Sequence, residues 1–296
     1  MTKSFDRALV ALDLSKMDTP MLRYLAGLVP VLGIKRLYFL HVMPDFSSPT
    51  KLDVEFHKLF NPEYPVDERV RDKLQLDIQE ALGDLPGLEW SVEVREGKPY
   101  QKLIHWIEVK EVDLLIVGKK QQSEGSGITA KRVARHTDCH VLFVPPDAAP
   151  RFEHLIVPID FSENAYRALQ VGLDLKHRQD NAELGALYIV EMPLEDYYVR
   201  GALQTGYRGV LMESAQTAYN HFIQEHRLND AEISPIFVQN DYGNISSHLA
   251  EYLEEHPTDL VIQGAQGHSA FENFLYGSVT EKLLDKLRTR PILIIR

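Results

Sequence analysis

The sequence predicts an α/β protein built from two doubly wound parallel-sheet domains. Three observations carry that expectation. Short, nearly continuous apolar runs alternate with amphipathic helical stretches, the pattern of parallel strands buried on both faces under crossover helices. The pattern occurs twice, because "RALVALDLS" at 7–15 is matched by "HLIVPIDFS" at 154–162, and "VDLLIVG" at 112–118 by "TDLVIQG" at 258–264. The length, 296 residues, suits two domains of about 150 residues each.

The first two matches are offset by 147 and 146 residues, and a third, "VLFVP" against "ILIIR", by 151. The copies therefore stay in register until just after Gly118 and Gly264, where the second gains length. "PPDAAPR" at 145–151 reads as the linker, since clustered prolines fit neither a helix nor a central strand. The domains expected are 1–147 and 152–296.

Taken in order, the expected strands of the first copy are 8–14, 36–43, 89–95, 114–117 and 141–144. Those of the second are 155–160, 184–191, 232–239, 260–263 and 292–295. Helices lie between them. Val70, Leu74, Ile78 and Leu82 recur every four residues, Leu211, Ala215, Tyr219 and Phe222 form a second stripe, and Val279, Leu283, Leu284 and Leu287 a third. Right-handed crossovers make each copy a doubly wound domain, and ligands of such folds sit beyond the carboxyl ends of the strands. Asp160 ends the first strand of copy two and Gly264 ends its fourth, so both should face one crevice.

Composition narrows the function classes. A formal charge of −11 argues against non-specific nucleic-acid binding, which needs a basic field. An anionic ligand stays open, because local donors set a site. The single cysteine, Cys139, rules out an internal disulfide framework and suits a reducing compartment. The first residues do not read as a signal peptide, and no apolar run approaches the roughly 20 residues that span a bilayer. A soluble cytoplasmic protein without membrane association is the expectation.

The chemistry concentrates in "GAQGHSAFENFLYGS", residues 264–278. Gly264 and Gly267 lack Cβ, so backbone N–H groups there can approach a phosphate. Gly277 and Ser278 precede the amphipathic "VTEKLLDKL", where a helix N-terminus favours an anion. A ligand-free alternative fits the same letters. Ser278 to Glu281 forms an S-x-x-E capping box, and glycine after a strand often marks only a turn.

Gly264-x-x-Gly267, nine residues, then Gly277-Ser278, followed by "VTEKLL" and a closing "RPILIIR", resembles the nucleotide-binding signature of the universal stress protein family. The resemblance covers both halves, each with a first strand ending in aspartate and an Asp-Leu-Ile/Val strand before glycine. One extra residue before Pro291 is the second copy's departure. The resemblance implies a tandem, Rossmann-like universal stress protein with ATP over the strand ends. By position it places Asp160 and the stretch around Val190 against the adenosine. Gln263, Gly264, Gly267, His268, Gly277, Ser278 and Val279 would surround ribose and phosphates, with His268 a further donor or an ordinary loop histidine. Asp160 has its own alternative as a turn residue before "SENA". Mg²⁺ would accompany the triphosphate, since hard cations prefer phosphate oxygens.

The first copy departs from the signature. Gln121 stands three residues after Gly118, the counterpart of Gly277 is Gly127, and the serine position holds Ile128. Gly118 to Gly127 spans nine positions where Gly264 to Gly277 spans thirteen, so copy one should not bind ATP in the same way. Lys119, Lys120, Lys131, Arg132 and Arg135 cluster there, either as a side-chain anion site or as a solvated basic face. His136, Cys139 and His140 in "HTDCH" are of metal-ligand type, but Cys139 should simply pack in a strand. The segments 45–65 and 193–209 follow second strands, where lids or local aromatic packing, including Tyr197 and Tyr198, both fit.

Three functions remain on this reading. The first is an adenine-nucleotide-binding regulatory or stress protein whose occupancy biases a partner surface. The second is an enzyme of the adenine-nucleotide α/β group, a slow ATP hydrolase or an adenylating enzyme, with His268 the one nameable base. No Gly-Lys-Ser/Thr phosphate loop is present for rapid turnover. The third is a nucleotide-free scaffold. Family members commonly pair last strands between domains, so the resemblance implies an intrachain pseudo-dimer through 141–144 and 292–295. The stress signal, protein partners and further dimerisation are not legible.

Overall fold

A computed structural model describes residues 5–43, 66–119, 129, 132–133, 136–192, 203–241, 243–267 and 276–296. The chain divides into two compact units, the first ending at Pro150 and the second beginning at Arg151. Apart from the largely exposed strands at 89–96 and 234–240, the strands of each unit are buried and mostly free of alternation, as a sheet covered on both faces requires. Leu9, Val10, Leu114 and Ile116 in the first unit, and Leu155, Val157, Val261 and Ile262 in the second, are wholly inaccessible.

The first unit contains β1 (Arg7–Leu12), α1 (Asp18–Leu32), β2 (Arg36–Met43), α2 (Val66–Leu82), β3 (Glu89–Glu96), α3 (Pro99–Lys110), β4 (Leu114–Gly118) and β5 (His140–Val144). Its parallel strands run in the order β3-β2-β1-β4-β5. The second contains β6 (His154–Pro158), α4 (Glu163–His177), β7 (Glu183–Glu191), α5 (Leu203–Glu225), β8 (Ser234–Asn240), α6 (Ile245–Glu255), β9 (Leu260–Gly264), α7 (Ser278–Lys286) and β10 (Ile292–Ile295). Its order is β10-β9-β6-β7-β8, again parallel. Each unit is therefore a doubly wound α/β fold whose first strand lies at the centre, with the chain reversing direction beside it.

The repeated letters have repeated structural uses. The aspartate of "VDLLIVG" and "TDLVIQG" ties the fourth strand to the first. Asp113 Oδ2 accepts the Arg7 N–H at 3.0 Å, and Asp259 Oδ2 accepts the His154 N–H at 2.9 Å. Both first strands end earlier than expected, at Leu12 and Pro158. The cause is a turn of left-handed backbone, with φ of 58° at Leu14 and 62° at Phe161, a region that bulky residues enter rarely. Asp13 Oδ1 then accepts the Ser15 N–H at 3.1 Å, and Asp160 Oδ1 the Ser162 N–H at 3.2 Å. In the second unit Ser162 goes on to cap α4, accepting the Ala165 N–H at 3.2 Å. The eighth strand starts later than expected because Asp230–Glu232 form a short 3-10 turn capped by Asn229. Pro235 is tolerated in β8 because that strand is at the edge of its unit's order.

Cys139 is buried with its Sγ 3.2 Å from the Thr137 hydroxyl, and the buried His140 ring lies 5.3 Å from Phe5. The "HTDCH" run thus packs into the start of β5. Among the described residues no helix is long and apolar enough to cross a membrane.

Candidate functional site

Beyond the carboxyl ends of β6, β7 and β9 lies a cleft of about 220 Å³ in the second unit. Of the residues singled out from sequence, Asp160, Gln263, Gly267, Gly277, Ser278 and Val279 line it. They arrive from three separate segments, the β6–α4 turn, the end of β9 and the start of α7. The glycines are what allow those segments to meet. A Cβ on Gly267 would lie 2.2 Å from Asp160 Oδ2, and one on Gly277 would lie 3.4 Å from the Gly267 nitrogen. Neither is among the glycines with positive φ; close approach, not turning freedom, is the reason for glycine at 267, while the 3.4 Å at Gly277 is an ordinary contact.

The start of α7 forms the polar wall. Gly277 is its N-cap, with φ −60° and ψ 155°, and among the described residues no side chain caps it. Ser278 is the first helical residue, so the capping box read as an alternative does not form. The Glu281 N–H makes the ordinary helical bond to Gly277 O at 3.0 Å. The Gly277 N–H donates to Ala265 O at 2.9 Å, and the Thr280 hydroxyl to Gly264 O at 3.1 Å. These bonds fasten the helix start to the end of β9 and turn an uncapped N-terminus into the cleft, where unpaired N–H groups and the helix dipole favour an anion.

Three expected positions behave differently. Gly264 does not line the cleft. A Cβ there would lie 2.8 Å from the Asn164 carbonyl oxygen, so this glycine lets β9 pass under the first turn of α4. Val190 also stays out. Its side chain is buried with Met192 and Ala215, while Tyr188, Ile189 and Glu191 of the same strand line the cleft. His268 lies outside the described residues. Asp160 fills its alternative role as well, since Oδ1 closes the turn before α4 while the side chain borders the cleft.

An apolar part of the lining was not read from the sequence. Pro158, Ile159, Ile189, Ile245 and Leu249 supply it. Ile245 and Leu249 are one helical turn apart on α6, a spacing visible in the sequence, but helical periodicity does not separate a residue facing the core from one facing a cavity. Tyr188 also lines the cleft, with its ring 4.7 Å from Phe161. Burial first, and then the neighbouring Glu191 and Asp160 carboxylates, raise its hydroxyl above the usual range, so it remains a neutral donor and acceptor at physiological pH.

In the first unit the corresponding turn keeps Asp13 but differs around it. Asp18, at the position of Ala165, is buried and accepts the Leu14 N–H at 2.7 Å. Its carboxyl group thus lies beside the end of β1. The Met17 side chain approaches Gly118, its Cβ 3.5 Å from where a Gly118 Cβ would stand. Arg132 lies 4.5 Å over the Tyr100 ring, and the Lys119 N–H donates to Val144 O at 2.7 Å. Lys120, Gln121, Gly127, Ile128, Lys131 and Arg135 lie outside the described residues, as do 45–65, Tyr197 and Tyr198.

Comparison with family models gives the family. The family model described as the universal stress protein family matches twice, over residues 4–145 and 151–296. Among solved structures, a universal stress protein from Archaeoglobus fulgidus DSM 4304 is similar with a TM-score of 0.64 at 18% identity, over 98% of this chain and 96% of that one. A functionally unknown protein from Pseudomonas aeruginosa PAO1 is similar with a TM-score of 0.61 at 12% identity, over 99% of this chain and 92% of the other. At such identities these likenesses speak to fold alone. A search of curated proteins found no match.

Proposed function

Since the chain belongs to the universal stress protein family, with two family domains in tandem, we propose that its second unit binds an adenine nucleotide, ATP in the first instance, and acts as a nucleotide-responsive regulatory protein of the stress response. One observation carries the reading. Asp160, Gln263, Gly267 and the uncapped start of α7, separated by up to 120 residues of sequence, border a single cleft.

The chemistry of the lining divides the ligand. The base belongs against Ile189, Ile245 and Leu249, the ribose near Asp160, and the phosphates along Gly267 and Ser278–Thr280, at the helix start. The cleft volume, about 220 Å³, is below the roughly 300–1,000 Å³ common for small-molecule sites, so the described walls hold part of such a ligand. Three or four charge-assisted hydrogen bonds at about 1.5–3 kcal/mol each are sufficient for micromolar affinity after ordering costs.

Mg²⁺ would enter with the triphosphate. Among the described residues no group of three or more His, Cys, Asp or Glu is arranged to hold an ion alone. Among the described residues that line the cleft, Asp160 and Glu191 carry the carboxylates that could face such an ion. Bound Mg²⁺ would neutralise phosphate charge next to it. The first unit, with Asp18 buried beside its strand end, is not proposed to bind nucleotide in this way.

Thermal unfolding with and without Mg²⁺–ATP tests the proposal. A ligand at a hundred times its dissociation constant stabilises the native state by about 2.7 kcal/mol, so the midpoint should rise by several degrees. An unchanged midpoint at millimolar ATP would contradict the proposal.

A further inference from the structure

Gln263 presents a feature that neither fold nor family membership requires. It is the penultimate residue of β9, it lines the cleft, and its Oε1 is buried with no hydrogen-bond partner. Buried polar atoms in native proteins are overwhelmingly paired, and an unpaired one that borders a cleft is placed to meet a donor on whatever enters it. The identity of the orphan atom follows from the other end of the amide. Nε2 donates to the Gly264 carbonyl at 3.2 Å. Exchanging the two atoms would set two oxygens face to face.

That single bond is also expendable. The Gly264 carbonyl already accepts the Thr280 hydroxyl at 3.1 Å, so the Gln263 amide can turn toward the cleft without leaving a carbonyl unpaired. The amide is thus held loosely, at the junction between the carboxylate of Asp160 and the phosphate-facing start of α7. A phosphate carries only acceptors there and does nothing for an unpaired amide oxygen. A ribose carries hydroxyl donors, and at this junction Gln263 supplies one acceptor while Asp160 supplies another.

Building on the nucleotide reading above, we propose that Gln263 determines sugar specificity, its Oε1 accepting a hydrogen bond from a ribose hydroxyl so that the site prefers ribonucleotides to deoxyribonucleotides. A hydroxyl that satisfies a buried, otherwise unpaired acceptor is worth about a tenfold difference in affinity or more.

Isothermal titration of the full chain with ATP, 2′-deoxyATP and 3′-deoxyATP, each with Mg²⁺, reads this directly on the native protein. The expected result is at least about tenfold weaker binding of one deoxy analogue. A second protein, Gln263→Met, keeps side-chain length and removes the amide. It should bind ATP and that deoxy analogue equally, at the affinity the native protein shows for the analogue. Equal native affinity for all three nucleotides, or a preference that survives in Gln263→Met, overturns the role of Gln263 while leaving nucleotide binding intact. Binding of none of the three overturns both this role and the reading it rests on.

Discussion

Replacing Gly267 by alanine probes the meeting of Asp160 with the glycine loop. The added Cβ would stand 2.2 Å from Asp160 Oδ2, where real side-chain carbons keep at least 3.0 Å. Either the carboxylate or the loop must shift by the better part of an ångström. If the carboxylate yields, its 3.2 Å bond from the Ser162 N–H is stretched or lost, at a cost of about 0.5–1.5 kcal/mol of stability. Binding suffers more, because the methyl group stands where a ligand would approach the backbone. A loss of about 1.4–2.8 kcal/mol, ten- to a hundredfold in dissociation constant, is expected.

Titration calorimetry measures the affinity and urea unfolding the stability. A double-mutant cycle with Asp160→Ala isolates the contact. Once the carboxylate is gone the methyl group has room, so the second substitution should perturb stability far less than the first did alone. The coupling should be about 0.5–3 kcal/mol, the range for groups in direct contact. Native-like ATP affinity in Gly267→Ala, or strictly additive stabilities in the cycle, would refute the reasoning.

Three further outcomes follow from particular contacts. Gly264→Ala pushes a methyl group to 2.8 Å from the Asn164 carbonyl oxygen and should lower stability by about 1–3 kcal/mol, seen as a reduced urea midpoint. Leu14→Gly should leave the urea midpoint nearly unchanged, because relief of left-handed strain at φ 58°, about 1 kcal/mol, offsets the lost packing of a side chain that is 42% exposed and the added chain entropy of glycine. Glu254 couples to pH. Its partial burial favours the neutral acid, but bonds from the Thr289 hydroxyl and from the Thr289 and Arg288 N–H groups outweigh that, with Arg290 nearby, and hold its carboxyl below the ordinary value of 4.5. A depressed folded value means that the stabilisation is present above the unfolded carboxyl's titration and fades as pH falls through the folded one. Glu254→Gln should therefore be less stable than the native protein at pH 7, and the gap should close in acid urea melts.

The sequence disclosed most about what repeats. Asp13 and Asp160 were legible because two copies of the same short strand end in the same residue, and the strand–helix alternation carried the doubly wound architecture. Long-range approach was not legible. Gly264 and Gly267 look alike in the sequence, yet one clears the Asn164 carbonyl and the other clears the Asp160 carboxylate. Only the fold decides which neighbour a missing Cβ makes room for. Ser278 followed by Glu281 spells a capping box, but the helix begins one residue early for it, with Gly277 at the cap. Val190 was placed by family position, and the strand turns its side chain into the core beside Met192. The apolar wall of Ile245 and Leu249 stayed hidden because a stripe of apolar residues looks the same whether it meets a core or a cavity. The free amide oxygen of Gln263 is a property of three-dimensional partners and has no signature in the chain.

The central claim is that one of two related domains has kept a nucleotide seat. Calorimetric stoichiometry with Mg²⁺–ATP tests it most directly, on the native protein and on Gly267→Ala. The account predicts one site per chain in the native protein, with affinity lost in the variant. Two equivalent sites per chain, or one site untouched by Gly267→Ala, would contradict it.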